Sequence, residues 1–469
     1  MPDIRSKHCQ ANLPMSFSLK YIVILLFLAP MALKAQQELM LNQMPDVWRA
    51  SSLNPAFFPD SVRFVVGLPS YSLDAAFSGD LTYNDIFRKQ DGNLVVDLDG
   101  AIGKLGPENY IVAEQRIETV NFGLRLPKGF TVMAGHSMRL SGTVDFPKTF
   151  AEVYWNGNGP YVGQTMDLGL GSYSFDWHEI MAGGSKTFGT VTVGARAKFI
   201  GGNSALQTDP NRNRADVYTD PDYYQLTINS DYAFYSSSVF SSIDTAGLGF
   251  ALVTDNFRSA NIFKNQGWAF DLGVQARVGE RLTLSASALD LGGTITWKEQ
   301  AYEFYSNGNY TYDGVYIPGN DIVNGTDSLD IDGELDTLND IFQFVRTDNN
   351  FKSKLPQRYY VGGQYQVLSY LSVGANFFHQ SGELRSLNAV GAQVMWTPLS
   401  WLRVGGMYGV TEIIEKNVDT DYRHNIGLQV FFQMAPFQFH LVTDNLVGAF
   451  SPRSSSAANL GLGLSLAFR

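Results

Sequence analysis

Leu460, Leu462, Leu464, Leu466 and Phe468 take every second position of NLGLGLSLAFR, residues 459–469, with Gly461, Gly463, Ser465 and Ala467 between them. Extended backbone sends successive side chains to opposite faces, so one face of this segment is apolar throughout and the other is small or polar. The same period of two recurs from residue 117 onward. In 117–127, Val120, Phe122, Leu124 and Leu126 alternate with Thr119, Asn121, Gly123 and Arg125. In 190–200, Val191, Val193, Ala195, Ala197 and Phe199 oppose Thr192, Gly194, Arg196 and Lys198. Residues 269–279 set Phe270, Leu272, Val274, Ala276 and Val278 against Asp271, Gly273, Gln275 and Arg277, and 281–289, 357–367, 371–379, 401–410, 424–434 and 458–468 repeat the pattern.

The segments run about 9 to 13 residues, close to the roughly 9 to 11 that a tilted strand needs to cross a bilayer and longer than the five or six usual in soluble sheets. Tight connections at Lys128-Gly129, Gly189 and Gly279-Glu280 contrast with long polar ones at 201–222, 298–355 and 411–423. A soluble sandwich would need a second sheet to cover each apolar face. A closed barrel in lipid needs none, because hydrocarbon covers the outside and closure pairs every backbone group. The expected fold is therefore all-β: a transmembrane antiparallel β-barrel over residues 62–469, with fourteen strands and long outer loops at 201–222 and 298–355. Its last strand must pair with its first. Leu464, Leu466 and Phe468, one residue before the end, then form the expected insertion signal for the barrel-assembly machinery.

The start of the chain sets the compartment. Lys20, the apolar run YIVILLFLAPMAL at 21–33 and Lys34-Ala35 read as a secretory leader over residues 1–35, cut after Ala35, with Met15 as a candidate initiator. That run is too short to span a bilayer as a helix. The single cysteine, Cys9, leaves with the leader, so the mature chain has no disulfide, thiol nucleophile or lipid-anchoring cysteine. The leader carries +3, so the formal charge of −11 becomes −14, which argues against a nucleic-acid partner. A mean hydropathy of −0.09 excludes a helical membrane protein but not a barrel, whose strands show only half their residues to lipid.

Candidate chemistry is sparse. His178-Glu179 begins an HExxH pattern, but Ala182 stands where the second histidine belongs, so no zinc site is expected. His136 shares parity with Val132, Ala134, Met138 and Leu140, while Ser137 faces the other way, which argues against a serine hydrolase. The acidic segment 320–340 is read as a solvated outer loop rather than a calcium site, and Asp327-Ser328-Leu329 and Asp336-Thr337-Leu338 match a short O-glycosylation pattern. No enzyme activity, metal or cofactor is expected. Charge parity is the more informative feature. Arg125, Arg139, Arg196, Lys198, Arg277 and Arg403 alternate with apolar neighbours, and a charge on the lipid face costs ~2–4 kcal/mol at mid-bilayer, so they should face the lumen. Asp271 is the main inward acid of these segments, giving an expected basic interior. Either it attracts an anionic or amphipathic solute, or its cations pair with acids such as Glu38, Asp46 and Asp60.

Residues 51–74, SSLNPAFFPDSVRFVVGLPSYSLD, start unlike a strand, since Pro55 and Pro59 flank Phe57-Phe58. An Asn-Pro-Ala motif near a mature N-terminus and ahead of barrel strands resembles the FadL-like fatty-acid channels and the Bacteroidota PorV and PorP-type secretion barrels. The resemblance implies that 36–61 is a hatch folded into the lumen, with Leu53, Asn54, Pro55, Ala56 and Phe57 inside the barrel. LNPAF (53–57), ENYIVAEQ (108–115), KFIGGNSALQT (198–208), GWAFDLG (267–273), LDLGGTITW (289–297), LPQRYYVGGQY (355–365) and VTDNL (442–446) together are similar to a Bacteroidota family of outer-membrane barrels with no assigned function. Within them, Asp290-Leu291-Gly292-Gly293 is read as a strand end and turn. The implied setting is the outer membrane with its lipid and lipopolysaccharide. The implied function is binding or passage of a small hydrophobic or anionic molecule, or else service as a non-transporting accessory barrel with a secretion-system or envelope protein as partner.

Overall fold

Fourteen antiparallel strands close into one ring in the computed structural model, which describes residues 38–60, 62–78, 81–90, 93–238, 263–312, 344–415 and 421–469. The leader, Cys9, Met15 and the acidic segment 320–340 with its two glycosylation-like triplets lie outside the described residues. In chain order the wall is β1 (Phe64–Phe77), β2 (Glu108–Leu126), β3 (Phe130–Pro147), β4 (Gly171–Phe188), β5 (Val191–Thr219), β6 (Gln266–Val278) and β7 (Leu282–Trp297). It continues through β8 (Gln357–Leu368), β9 (Leu371–Ser381), β10 (Arg385–Leu399), β11 (Leu402–Glu415), β12 (Asp421–Met434), β13 (Phe437–Thr443) and β14 (Ala457–Phe468). The ring shuts where β14 meets β1, with Phe64 opposite Phe468, Val66 opposite Leu466 and Tyr71 opposite Leu462. With this pairing neither β1 nor β14 is left with an unpaired edge, as a sheet surrounded by hydrocarbon requires.

The alternation places charge inside and apolar residues outside. On β6, Trp268, Phe270 and Leu272 are 57%, 52% and 51% exposed, and Asp271 between them is 0% exposed. Such a belt of exposed apolar side chains around a closed sheet fits hydrocarbon as its surroundings. The outer connections differ from expectation. Residues 201–219 are not a loop but the far half of β5, 29 residues long, which pairs with Leu226–Ser237; that strand pairs with Ala301–Tyr312, and this in turn with Val345–Asp348. Similarly, the described residues of 298–355 include three strands, and those of 411–423 are the ends of β11 and β12. Pairing does not require lipid. Once the sheet leaves the bilayer both its faces are wet, so polar residues there mark the end of the hydrocarbon and not of the strand. β13 is the short exception: at Thr443 it turns into the helix Leu446–Phe450, whose first turn is capped by Asn445, leaving β12 without a β13 partner beyond Leu428.

Inside the ring lie residues 38–60, two short 3-10 turns (Leu41–Gln43 and Trp48–Ser52) joined by irregular chain. Leu39, Met40, Leu41, Met44, Val47, Ala50, Leu53 and Phe57 pack against Leu289, Tyr360, Phe378, Met395, Met407 and Phe431 of the wall. The largest apolar core is therefore a plug in the lumen. Two wall glycines make room for it. Gly194 and Gly273 are register partners on β5 and β6, and a Cβ on them would stand 2.3 Å from the Pro55 carbonyl oxygen and 2.0 Å from Asn54 Oδ1. Asn54 fills the hollow and donates to the Val274 and Ala286 carbonyls at 3.2 and 3.1 Å, while its own Oδ1 accepts from the Ala56 N–H. The Leu53 carbonyl accepts from Ser287 at 2.7 Å. Leu53, Asn54, Ala56 and Phe57 are all at most 2% exposed.

Candidate functional site

An unbroken lattice of ion pairs joins the plug to one half of the wall. Arg49 of the plug meets Glu38 at 2.9 Å and Glu118 of β2 at 3.1 Å; Arg116 meets Glu118 at 3.2 Å and Glu179 of β4 at 3.7 Å. Arg139 of β3 joins Glu179 at 2.8 Å to Asp290 of β7 at 2.9 Å. Asp290 also takes Lys198 of β5 and Arg358 of β8, both at 2.6 Å, and Lys198 and Arg196 share Asp271 of β6 at 2.9 and 2.7 Å. Arg196 also donates to the Ser51 and Ser52 carbonyls, and Arg139 lies 4.8 Å over the Trp177 ring. Burying ions is tolerable only when each has a partner and its remaining donors are engaged, so the lattice constrains which side chains can coexist here.

Asp290 corrects the reading of its motif. Asp290-Leu291-Gly292-Gly293 lies within β7 as a bulge, with φ of +61° at Asp290 and +66° at Gly292 and two register shifts against β6. The extra residue turns the carboxylate into the lumen, fully buried, where it serves three cations, and its N–H donates to Asp271 at 2.9 Å. The expected basic interior is corrected with it: Glu118, Glu179, Asp290 and Glu38 join Asp271 in balancing the cations.

The remaining cations of the expectation lie near the short-turn end. Arg125 donates to the Val62 and Pro59 carbonyls at 3.2 and 2.8 Å; Arg277 pairs with Asp60, and Arg403 with Asp46. All three thus clasp the plug's lower portion. Arg139, Arg196, Lys198 and Asp271 are in the central lattice. Leu464, Leu466 and Phe468 face outward on β14, and Phe468 stacks on Phe64 at 6.0 Å, next to the closing seam. His136 faces outward as its parity predicts, accepting or donating to Thr119 at 2.8 Å and to His178 at 3.1 Å. Among the described residues no group of three His, Cys, Asp or Glu is placed to hold a metal ion.

Several lattice members escaped the sequence reading for identifiable reasons. Glu118 precedes a register shift between Glu118 and Val120, which breaks simple parity counting. Glu179 sits beside His178 and drew attention as half of a zinc motif. Arg358 opens β8 just after Pro356, where alternation has barely begun. Arg49 belongs to the plug, which has no periodicity to read.

Above the plug, toward the long-loop end, described residues of the lumen enclose an outer and an inner cavity. The outer has a volume of about 80 Å³ and is amphipathic, with Tyr110, Tyr173, Leu387 and Ile413 beside Lys354 and Arg385. Arg385 lies 3.8 Å over the Tyr110 ring and pairs with Asp145, and Arg423 donates to the Tyr110 hydroxyl at 3.0 Å. The inner cavity, about 20 Å³, is polar and lined by Glu38, Asp74, Glu114, Arg116, Arg139 and Arg358. Glu114 borders both, and Gln380 reaches across the lumen from β9 to donate to it at 2.7 Å.

Residues 55–444 match the model of a family of unknown function, DUF5723, and the chain belongs to that family. No curated protein matches the chain. Among solved structures it is similar to the Pseudomonas putida toluene transporter TodX, at 10% identity over 89% of this chain and 92% of that one, with a TM-score of 0.40. A TodX monoaromatic hydrocarbon channel mutant gives 11% identity, coverage of 90% and 94%, and a TM-score of 0.43. A Pseudomonas aeruginosa FadL homologue gives 12% identity, coverage of 90% and 94%, and a TM-score of 0.43.

Proposed function

We propose that this member of the DUF5723 family is an outer-membrane barrel that takes a small hydrophobic or anionic solute into its outer mouth, with the plug, residues 38–60, controlling any passage beyond. In such barrels short turns face the periplasm and long connections face outward, which puts the amphipathic cavity at the cell exterior. That cavity is the observation that carries the reading. Aromatic and aliphatic walls suit an apolar body, and Arg385 and Lys354 suit a carboxylate or another anionic end. At about 80 Å³ it holds a head group and not a whole amphiphile, so binding must widen it, with Gly382, Glu383 and Leu384 between β9 and β10 as the segment that gives way. Nothing in this mechanism involves bond-making chemistry on the solute.

A second reading has its own support. The plug is buried along nearly its full length and held by the lattice, as would suit an accessory barrel that never conducts. Liposome swelling and ligand binding separate the two. Purified barrel should leave liposomes closed to arabinose, and a variant lacking residues 38–60 should open them. A fluorescent dansylated fatty acid should bind the intact barrel saturably, and Arg385→Gln should weaken it by about tenfold, the equivalent of one charge-assisted hydrogen bond. Absence of saturable binding in intact barrel would leave the accessory role standing.

A further inference from the structure

The plug is held unequally. Residues 48–60 are fixed to β2–β7: Arg49 pairs with Glu118, Arg196 donates to the Ser51 and Ser52 carbonyls, Asn54 donates to β6 and β7, and Ser287 donates to the Leu53 carbonyl. Residues 38–44 lie against the other half of the wall, and neutral groups do most of the holding there. Asn376 donates to the Leu39 carbonyl at 2.6 Å and Gln43 to the Ala375 carbonyl at 3.0 Å, while Asp444, just past β13, accepts the Leu39 and Met40 N–H groups at 2.8 and 3.3 Å. Among the described residues the plug's ion pairs reach β9–β14 only through Arg403 and Asp46, at the short-turn end.

Beneath residues 38–44 the wall is a patch of amides and glycines. Gly362, Asn376, Gly391, Gly409 and Asn425 are register partners in one row across β8–β12, and Gly374, Gln393, Met407 and Gly427 in the next. Gln43 enters the space the glycines leave, since a Cβ on Gly362 or Gly374 would stand 2.5 or 2.6 Å from its amide. Phe378, Met395, Met407 and Phe431 supply the apolar surface around it. The amides are poorly matched. Asn42, Asn376, Gln393, Asn425 and Gln429 are 2%, 7%, 4%, 4% and 1% exposed, yet both polar side-chain atoms of Asn42 and of Gln393, and Asn376 Oδ1, Asn425 Nδ2 and Gln429 Oε1, have no hydrogen-bond partner among the described residues. Folded interiors leave few such groups, because each gives up its hydration without return. A ligand that both donates and accepts recovers that loss. The patch also continues the outer cavity downward: Gln380, Leu387 and Ile413 line that cavity and share strand and inward parity with Asn376, Gln393 and Thr411.

We propose that residues 38–44 are a flap, which lifts from β8–β12 while 48–60 stay in place, and that the amide patch beneath it is a binding site on the way down from the outer cavity. Its ligand is an uncharged molecule with an apolar body and hydroxyl or carboxamide groups. Side-chain amides meet donors and acceptors alike, and the methionine and phenylalanine side chains take the apolar body. A permanent ion meets no countercharge among the patch residues. The flap gives way first because a few neutral hydrogen bonds open more readily than a buried ionic lattice. This presupposes that the plug controls passage, as proposed above, and narrows what passes to the uncharged members of the solute class.

The test uses the full chain carrying Cys9→Ser, which removes its single thiol. Gln393→Cys and Ser137→Cys each add one thiol at positions equally buried, at 4% exposure, the first under the flap and the second in the lattice, where Ser137 donates to Glu179. In the folded barrel in detergent, uncharged methyl methanethiosulfonate should modify the Gln393→Cys variant about tenfold faster than the Ser137→Cys variant. The anionic sulfonatoethyl and cationic trimethylammonioethyl reagents should lose that preference, each rate being scaled to the unfolded chain. Asn376→Ala releases the Leu39 carbonyl and should raise the Gln393→Cys rate about fivefold, the worth of one net hydrogen bond, while Ser287→Ala, which frees part of 48–60, leaves it unchanged. Octanamide should slow modification of Gln393→Cys, and octyltrimethylammonium should not. Gln393→Met removes two orphaned atoms and should raise the urea midpoint, where loss of a structural hydrogen bond would lower it. Should Gln393→Cys not fold, Gln429→Cys takes its place. Equal rates at the two thiols, a preference kept by the charged reagents, equal effects of Asn376→Ala and Ser287→Ala, no protection by octanamide, or a lowered midpoint overturns the proposal. If deleting residues 38–60 leaves both thiols slow, the plug's control of passage falls with it; if deletion exposes both while the intact barrel labels them equally, the flap alone falls.

Discussion

Replacing Asp290 by asparagine isolates the charge at the centre of the lattice. Asparagine has nearly the same shape and tolerates positive φ well, so the bulge at +61° survives and only the negative charge is lost. Arg139, Lys198 and Arg358 then keep their positions at 2.6 to 2.9 Å from a neutral amide, whose NH₂ can only repel them. Removing one partner from a buried pair costs about 3–5 kcal/mol, because the cost is the stranded charge and not the lost contact alone. Arg139 and Lys198 retain Glu179 and Asp271, so the loss should fall at the lower end, about 3 kcal/mol. Arg277→Gln supplies the contrast. It breaks the pair with Asp60, whose side chains are 53% and 66% exposed, and should cost less than about 1 kcal/mol. Urea unfolding in lipid vesicles, followed by tryptophan fluorescence, measures both. Adding Arg358→Met to Asp290→Asn should recover part of the deficit, since Arg358 has no other carboxylate among the described ion pairs. An Asp290→Asn barrel within about 1 kcal/mol of the parent, indistinguishable from Arg277→Gln, would refute the claim that these ions are interdependent.

Other consequences follow from the same geometry. A Cβ at position 273 would stand 2.0 Å from Asn54 Oδ1, so Gly273→Val should displace the plug, making liposomes permeable to arabinose while the barrel stays folded. Asn54→Ala removes both hydrogen bonds to the β6 and β7 carbonyls and should loosen the plug by about 1–3 kcal/mol, detected as faster proteolysis between residues 38 and 60. Leu272→Arg places a charge on the exposed lipid face and should lower stability by ~2–4 kcal/mol, whereas Gln275→Arg on the lumen side of the same strand should cost less; unfolding in vesicles compares them. Phe468→Ala removes the ring stacked on Phe64 at the seam and should lower the fraction that migrates as a folded, heat-modifiable band.

The barrel was legible in the sequence because its cause is local and periodic. Phe270, Asp271 and Leu272 report the two faces of a strand without reference to any other part of the chain, and enough such segments in series allow only closure in lipid. The tight turns were legible for the same reason. Extension of β5 to Thr219 was not, because polarity says where hydrocarbon stops and nothing about where pairing stops. The site divides along similar lines. Parity alone turns Arg139, Arg196, Lys198 and Asp271 inward, but it cannot say what meets them there.

Alternation of apolar and polar positions, together with a strand at the chain's end, was thus sufficient to determine a membrane-type barrel of this size and the inward direction of its charges. Tertiary structure alone decided the partners of those charges. Asp290 stands 151 positions from Arg139 and 92 from Lys198, and it reaches both only because a bulge in β7 and the curvature of a closed wall bring them to one point. The plug, too, has no period to read. Its place is set by what fits a hollow between Gly194 and Gly273, and a hollow is a property of the assembled wall that no stretch of its strands contains.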